Sequence, residues 1–361
     1  MSAPSTSAAL KSVAMNRRSA LLLALVSAPT IGALLTAGSV QAATTPPISV
    51  LDAVAVQKGA LAPVVGTAGT YRPDETTTGW RPVRASLIRQ AGDVLVTTPG
   101  TVIEGKYITG RVLVRAANVT IRQCEIVGNG YARGNTGLID CNHPSTANVL
   151  IEDCELHQAV GSANVWHDGV LGHDYTARRN LVYDTVDGFG VYNSYSPSTP
   201  ANVIIEANYV RELSYFSPDP NHSDNRTHND GIQIQGNGGV RIVGNHIRGY
   251  ASTICGTGST NDPYFPLITG HLVTCTPTVS VITNIVVDSN WLYGGVCGFI
   301  AIVGSKAASN LGSITNNRFG SDMRLRTSMQ VDNTLSGHFS NNVWDIDASP
   351  ASVTFYRPGT L

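Results

Sequence analysis

The chain has 361 residues, with 24 lysines and arginines against 25 aspartates and glutamates, for a formal net charge of −1. That balance excludes a basic surface holding nucleic acid by charge alone, and the lack of any C-x-x-C pair argues against a zinc cluster. High glycine content (36 residues) with only 14% charged residues suits a turn-rich β protein.

Taken from the N-terminus, Arg17 and Arg18 precede an apolar run from Ala20 to Leu35, and the stretch closes at Val40-Gln41-Ala42. A basic start, an apolar middle and a small-x-Ala end predict a cleavable export signal over 1–42. NRRSALL at 16–22 resembles a twin-arginine signal, which implies secretion of a folded chain. Removing this segment takes Lys11, Arg17 and Arg18 from the 24 basic residues and no acid, leaving 21 against 25 acids. No later segment approaches a membrane span, so no membrane contact is expected after signal removal. Residues 43–100 are irregular, with Pro46-Pro47 and TAGTYRPDETTTGWRP at 67–82, and are read as a tether and N-terminal cap.

From residue 101 the text repeats. NVTIRQCEI at 118–126 is followed by NVLIEDCEL at 148–156, DYTARRNLV at 174–182, NVIIEANYV at 202–210, GVRIVGNHI at 239–247 and NIVVDSNWL at 284–292. Worn copies follow at 311–319 and 336–344. One slot holds Cys124, Cys154, Asn180, Asn208, Asn245, Asn290, Asn317 and Asn342. Each unit is a strand, a tight turn and a second strand, too short and too β-branched for a helical repeat. The expectation is an all-β fold, a right-handed parallel β-helix over 101–361. A turn Asn in nearly every coil would bond its stacked neighbours, and 345–361 would close the end.

Cys124 and Cys154 share a slot and should be neighbours, either as free thiols or as a bridge. Cys255 and Cys275 lie in the longest insertion, 250–283, and a disulfide closing that loop is expected in an exported protein. Cys141 and Cys297 fall near interior strands, where a thiol serves as a small hydrophobe. Long insertions also occur at 193–201 and 211–229, and in stacked repeats such loops frame the binding face.

A second alignment joins Gly137, Gly169, Gly188, Gly231 and Gly298, preceded by Thr136, Asp168, Asp187, Asp230 and Cys297. Three successive coils would then stack aspartates about 5 Å apart, the strand spacing of a sheet. Adjacent carboxylates repel, so the column needs a shared proton, a cation such as Ca²⁺ or a protonated His. The bland reading is that Asp-Gly caps turns, as the Asn slot does. His167 and His228 attend two of the three aspartates. Alternation predicts outward positions for His173, Tyr192, Gln233 and Gln235, and Arg226 lies on the approach loop 217–231 with His222 and Asp224.

The coil repeat, the Asn slot and the phrases WHDG and HNDG resemble the extracellular parallel β-helix proteins of carbohydrate metabolism, of actinobacterial or phage-associated type, over 101–344. The resemblance implies a polysaccharide partner and leaves three functions open. A lyase would use His228 or His167 as base, Tyr192 as acid, and Arg226 or Ca²⁺ on Asp168, Asp187 and Asp230 against a uronate carboxylate. A hydrolase would pair two of the same aspartates across the scissile bond. A non-catalytic glycan binder would present stacked aromatics and amides, with Tyr192, Tyr195, Tyr215, Phe216, Gln233 and Gln235 available. Fold analogy puts the lyase first.

Overall fold

A computed structural model describes residues 72–83, 86–129, 136–159, 166–215, 218–219, 222–249, 270–302 and 310–356. The segment 1–42, Phe216 and Cys255 lie outside the described residues. Among the described residues no helix is long and apolar enough to cross a membrane.

The described strands form three all-parallel sheets, and each coil visits them in turn. Sheet A runs from Ile88–Ala91 to Val343–Trp344, sheet B from Val94–Val96 to Val353–Tyr356, and sheet C from Val102–Glu104 to Ser336–Ser340. This is the expected parallel β-helix. Its first strands precede residue 101, where the repeats become legible. Alternation sends every other residue of each short strand inward, so the core is a stack of columns. In sheet C the column reads Ile121, Ile151, Ala177, Ile205, Ile242, Val287 and Ile314, all buried.

The turn from sheet C to sheet A carries the predicted slot. Asn180 N and Nδ2 both donate to Asn208 Oδ1 at 2.9 Å, and the same pair of bonds recurs from Asn208 to Asn245 and from Asn245 to Asn290. The preceding residue is left-handed even where it is not glycine, as at Arg179 (φ 53) and Ser289 (φ 56). The ladder holds a backbone geometry that costs an L-residue free energy. At the N-terminal end of the slot Cys124 and Cys154 are buried free thiols, which settles the two alternatives against a bridge.

The supposed insertion 250–283 contains a strand of the stack. Val273–Cys275 is a strand of sheet B, paired with Ile232–Ile234 on one side and Phe299–Ala301 on the other. The expected Cys255–Cys275 disulfide is therefore corrected at Cys275, which is a buried free thiol on a sheet strand rather than a loop residue. His271 and Leu272 stand where the three preceding coils carry aspartate and glycine, which hid this strand from the alignment.

Residues 72–83 lie along the outer side of sheet A. Arg72 reaches Tyr293 (3.3 Å), Pro73 O accepts from His246 Nδ1 (2.8 Å), Glu75 pairs with Arg211 (2.7 Å) and Gly79 N donates to Arg179 O (2.9 Å). Trp80 Nε1 then bonds Glu125 (3.0 Å) and Arg81 meets Glu155, so one short segment pins six successive coils. Burial, with Arg72 and Arg248 adding against the Pro73 bond, drives the His246 pKa down to about 4.

This gives the first prediction. A His whose folded pKa is depressed contributes stability above about pH 6.5, and that contribution is lost as pH falls towards about 4. Between pH 7.5 and 4.5 the loss at His246 is roughly 2–3 kcal/mol. Asp168 and Asp187, described below, have raised pKa values and act in the opposite direction, so the comparison must be made between variants. His246→Gln keeps a neutral donor for Pro73 O, and its melting temperature should fall by several degrees less than wild type over this pH interval. Parallel curves for the two proteins would show that His246 does not titrate on unfolding.

Candidate functional site

The predicted aspartate column exists on consecutive coils at the leading edge of sheet B. Gly169 N donates to Asp187 O and Gly188 N to Asp230 O, each at 3.0 Å, which stacks Asp168, Asp187 and Asp230; His271 continues the column. The glycines follow from the close approach of the coils. A Cβ at Gly169 would lie 2.6 Å from Gly188 O, and one at Gly188 would lie 2.4 Å from Gly231 O. The first coil is offset from the sequence alignment, because Gly137 pairs with Asp168 and Thr136 with His167.

All three aspartates are buried, but they differ. Asp187 Oδ1 accepts the Asp230 N–H at 2.8 Å, and Asp230 Oδ1 accepts the His271 N–H at 2.7 Å. These two therefore cap the next coil much as the Asn ladder does. Asp168 instead lies over Gly190, where a Cβ would come within 2.5 Å of its Oδ2. Burial, then the charges of Asp230 and Asp140, push the Asp168 carboxyl well up, and burial with Asp168 and Asp230 does the same to Asp187. At Asp230 burial also pushes upward, but the His271 side chain and N–H outweigh it and hold the carboxyl below its usual value. The raised carboxyls of Asp168 and Asp187 beside the lowered one of Asp230 follow from the mutual repulsion of the column.

The oxygens do not converge as a Ca²⁺ site requires. Ca²⁺ takes six to eight oxygens, whereas Asp187 and Asp230 are engaged by backbone N–H groups and Asp230 Oδ2 also accepts from Gln233 (3.1 Å). Among the described residues the donor atoms that do gather are those of Glu125, Glu155 and His157 on sheet A. There the Arg81 guanidinium meets Glu155 and also lies 3.9 Å from Glu125.

Other predicted residues separate. His167 turns into the corner between sheets A and B, with Gln158 Nε2 2.9 Å from its Nδ1. Burial and Arg111 lower its pKa to about 4, so it is a neutral packing residue. His173 is buried against Asp174 (2.7 Å) instead of facing outward. Tyr192 does stand beside Asp168; burial, with Asp168 and Asp140 adding, pushes its phenol up. Gln233 and Gln235 are half-buried on the outer side of sheet B, and Arg226 is half-buried on the approach loop.

That loop carries a group the sequence did not single out. Asp219 is fully buried; its Oδ1 accepts from Trp166 Nε1 (2.9 Å) and its Oδ2 lies 2.6 Å from His222 Nδ1. The turn is closed by Asp219 N to Asn225 O (3.2 Å) and Asn225 N to His222 O (3.0 Å). His222 stacks on His228 with ring centroids 4.1 Å apart, and His228 Nε2 sits 3.1 Å from Asp224. Asn229, buried, ties the loop's return to Val186 O (2.9 Å) and Ser214 O (2.8 Å). His228 is two residues from Asp230, and Trp166 two from Asp168, about 7 Å along an extended chain. The chain therefore tethers the imidazole pair, at His228 and through Asp219 and Trp166, within that reach of Asp230 and Asp168. The His222 side chain is 34% exposed over a fully buried carboxylate, the arrangement of an oriented base. The signal available in the sequence was D-x-x-H at 219–222, which becomes meaningful only once the loop closes.

No family model matches the chain, and no curated protein matches it. Among solved structures it is similar to one described as a new PL6 alginate lyase complex with trisaccharide, at 14% identity and a TM-score of 0.41, over 71% of this chain and 52% of that one. The chain thus spans about half of that protein's length, and its parallel coil fold rests on the strand pairing above.

Proposed function

We propose that the chain cleaves a uronate-containing polysaccharide by β-elimination along the outer side of sheet B. The observation that carries this is the Asp219–His222 pair. A buried carboxylate on Nδ1 fixes the proton there and leaves the Nε2 lone pair for a substrate proton. His222 would take the proton beside the uronate carboxylate, a carbon–carbon double bond would form, and the glycosidic oxygen would leave. Asp168, whose carboxyl burial pushes well above the usual carboxylate range, would protonate that oxygen. Arg226, on the same loop, supplies positive charge for the substrate carboxylate. The signal-like segment 1–42 supports an exported enzyme meeting polymer outside the cell.

A second reading rests on the opposite directions in which Asp168 and Asp230 are shifted, one raised and one lowered. Two carboxyls two coils apart, about 10 Å by strand spacing, lie near the upper limit of an inverting hydrolase pair. The test is residues 43–361 against alginate, pectate, other uronate polymers and neutral glycans, read for unsaturated-sugar absorbance and for reducing ends. Elimination predicts both signals on a uronate polymer. Reducing ends alone would replace the lyase by the hydrolase, and silence with retained binding would leave a glycan-binding protein.

A further inference from the structure

We infer that Tyr195 forms a sugar-stacking subsite on the rim of sheet B opposite the His222 loop, for a pyranose ring of the polymer; this rests on the polysaccharide reading above. Most large side chains of the middle coils are buried, but Tyr195 is 55% exposed, three residues after Tyr192 beside Asp168. It lies on the connection that leaves sheet B after Phe189–Val191, whereas His222 lies on the connection that enters it at the paired strand Ile232–Ile234, so the two lie at opposite ends of adjacent strands.

The loop bearing Tyr195 is held rigid from beneath. Asn193 Oδ1, buried, accepts the N–H of Tyr195 (3.1 Å) and of Ser196 (2.9 Å). From the next coil Asn237 Oδ1 accepts Asn193 N (2.8 Å), and its Nδ2 donates to Ser196 O (3.0 Å) and Thr199 O (2.8 Å). Asn237 N is in turn bonded to Ser280 Oγ (2.7 Å). Three coils are thus committed to one loop whose outermost feature is an uncovered ring. An exposed aromatic held this firmly loses little entropy when a ligand covers it.

Beside the ring are groups suited to sugar hydroxyls. The loop folds back across the short turn at His173–Asp174 to reach the loop after Thr136–Cys141, where Asn142 and Ser194 exchange hydrogen bonds at 3.1 and 3.2 Å. His143 stands 6.1 Å from the Tyr195 ring, tilted by 60°. A pyranose offers an apolar face of C–H bonds and an equatorial belt of hydroxyls, which an exposed ring edged by an amide, a hydroxyl and an imidazole can meet together.

The test uses residues 43–361 with Tyr195→Ala and Tyr195→Trp, on whichever polymer the wild type cleaves or binds. Removing one stacking contact should raise KM about 10-fold while leaving kcat within about twofold. Tyr195→Trp should restore KM, which a merely structural role would not predict. The same order should appear as retardation in gels containing the polymer. An unchanged KM and mobility for Tyr195→Ala, against an active or binding wild type, overturns the subsite. A wild type that is retarded without cleaving, with retardation lost in Tyr195→Ala, keeps the subsite and removes the lyase. A wild type that neither cleaves nor binds any polymer overturns both.

Discussion

His222→Ala should lower turnover of a uronate polymer about 1,000-fold, the usual worth of a general base, and lower the melting temperature by a few degrees. The stability half follows from position: the ring is a third exposed and stacks on His228, but it also partners the fully buried Asp219 carboxylate, and a buried acceptor stripped of a partner costs about 1–3 kcal/mol. The activity half follows from Asp219. Its buried carboxylate accepts from Trp166 and faces Nδ1, so Nε2 is left as the lone-pair nitrogen. Asp219→Asn should therefore lose about 100-fold or more, because an amide can present N–H to Nδ1 and move the imidazole proton to Nε2. His228→Ala should cost less than about tenfold, since its Nε2 is engaged by Asp224 and its contribution is stacking. Full activity in His222→Ala would remove the base assigned here. Loss in Asp168→Asn and Asp230→Asn, with His222→Ala active, would instead mark the carboxylate pair of the hydrolase.

The coil was legible because its constraint is local and periodic. Inward branched residues and the turn Asn recur wherever a strand must stack on another, so Asn180 to Asn342 align by eye and also bond in space. The column at the edge of sheet B was legible for the same reason over three coils, since Gly169 and Gly188 are demanded by backbone contact. It failed at the coil carrying His271 and Leu272, where different residues meet the same geometry. The site was less legible, because side-chain direction at a strand entrance does not follow simple alternation. His167, adjacent to Asp168 in sequence, turns away to Gln158. His222 meets the buried Asp219 three residues back, and no repeat announces a contact made by an insertion.

Asn245→Ala should be among the most damaging substitutions outside the site, at roughly 2–6 kcal/mol, because it strands two buried donors at about 1–3 kcal/mol each. Asn245 Oδ1 accepts both Asn208 N and Asn208 Nδ2 at 2.9 Å, and Asn245 Nδ2 donates to Ile205 O (2.8 Å) and to Asn290 Oδ1 (2.9 Å). Alanine removes all of these at a fully buried turn, where water cannot replace them. Asn342→Ala is the control. It loses the same kind of bond to Asn317 and to Ile314 O (2.8 Å), but it ends the ladder beside the last described coil. In a stacked repeat, a break in the middle weakens the interfaces on both sides, while a break at the end frays one coil. Urea melts followed by hydrogen exchange should therefore show broad loss of protection in sheets A and C for Asn245→Ala, and loss confined to the C-terminal coil for Asn342→Ala. Equal, small losses for the two would mean that packing of the Ile205, Ile242 and Val287 column holds the stack without the ladder. The natural substitutions at Cys124 and Cys154 bear on that alternative. Cys154 Sγ lies 3.6 Å from Ile121 O, the carbonyl an Asn would bond, but a thiol is a weak donor and a poor acceptor, and these coils are the first in the slot. The fold tolerates a weak rung near its N-terminal end and keeps amides through the middle coils, where the outer side of sheet B must hold its shape.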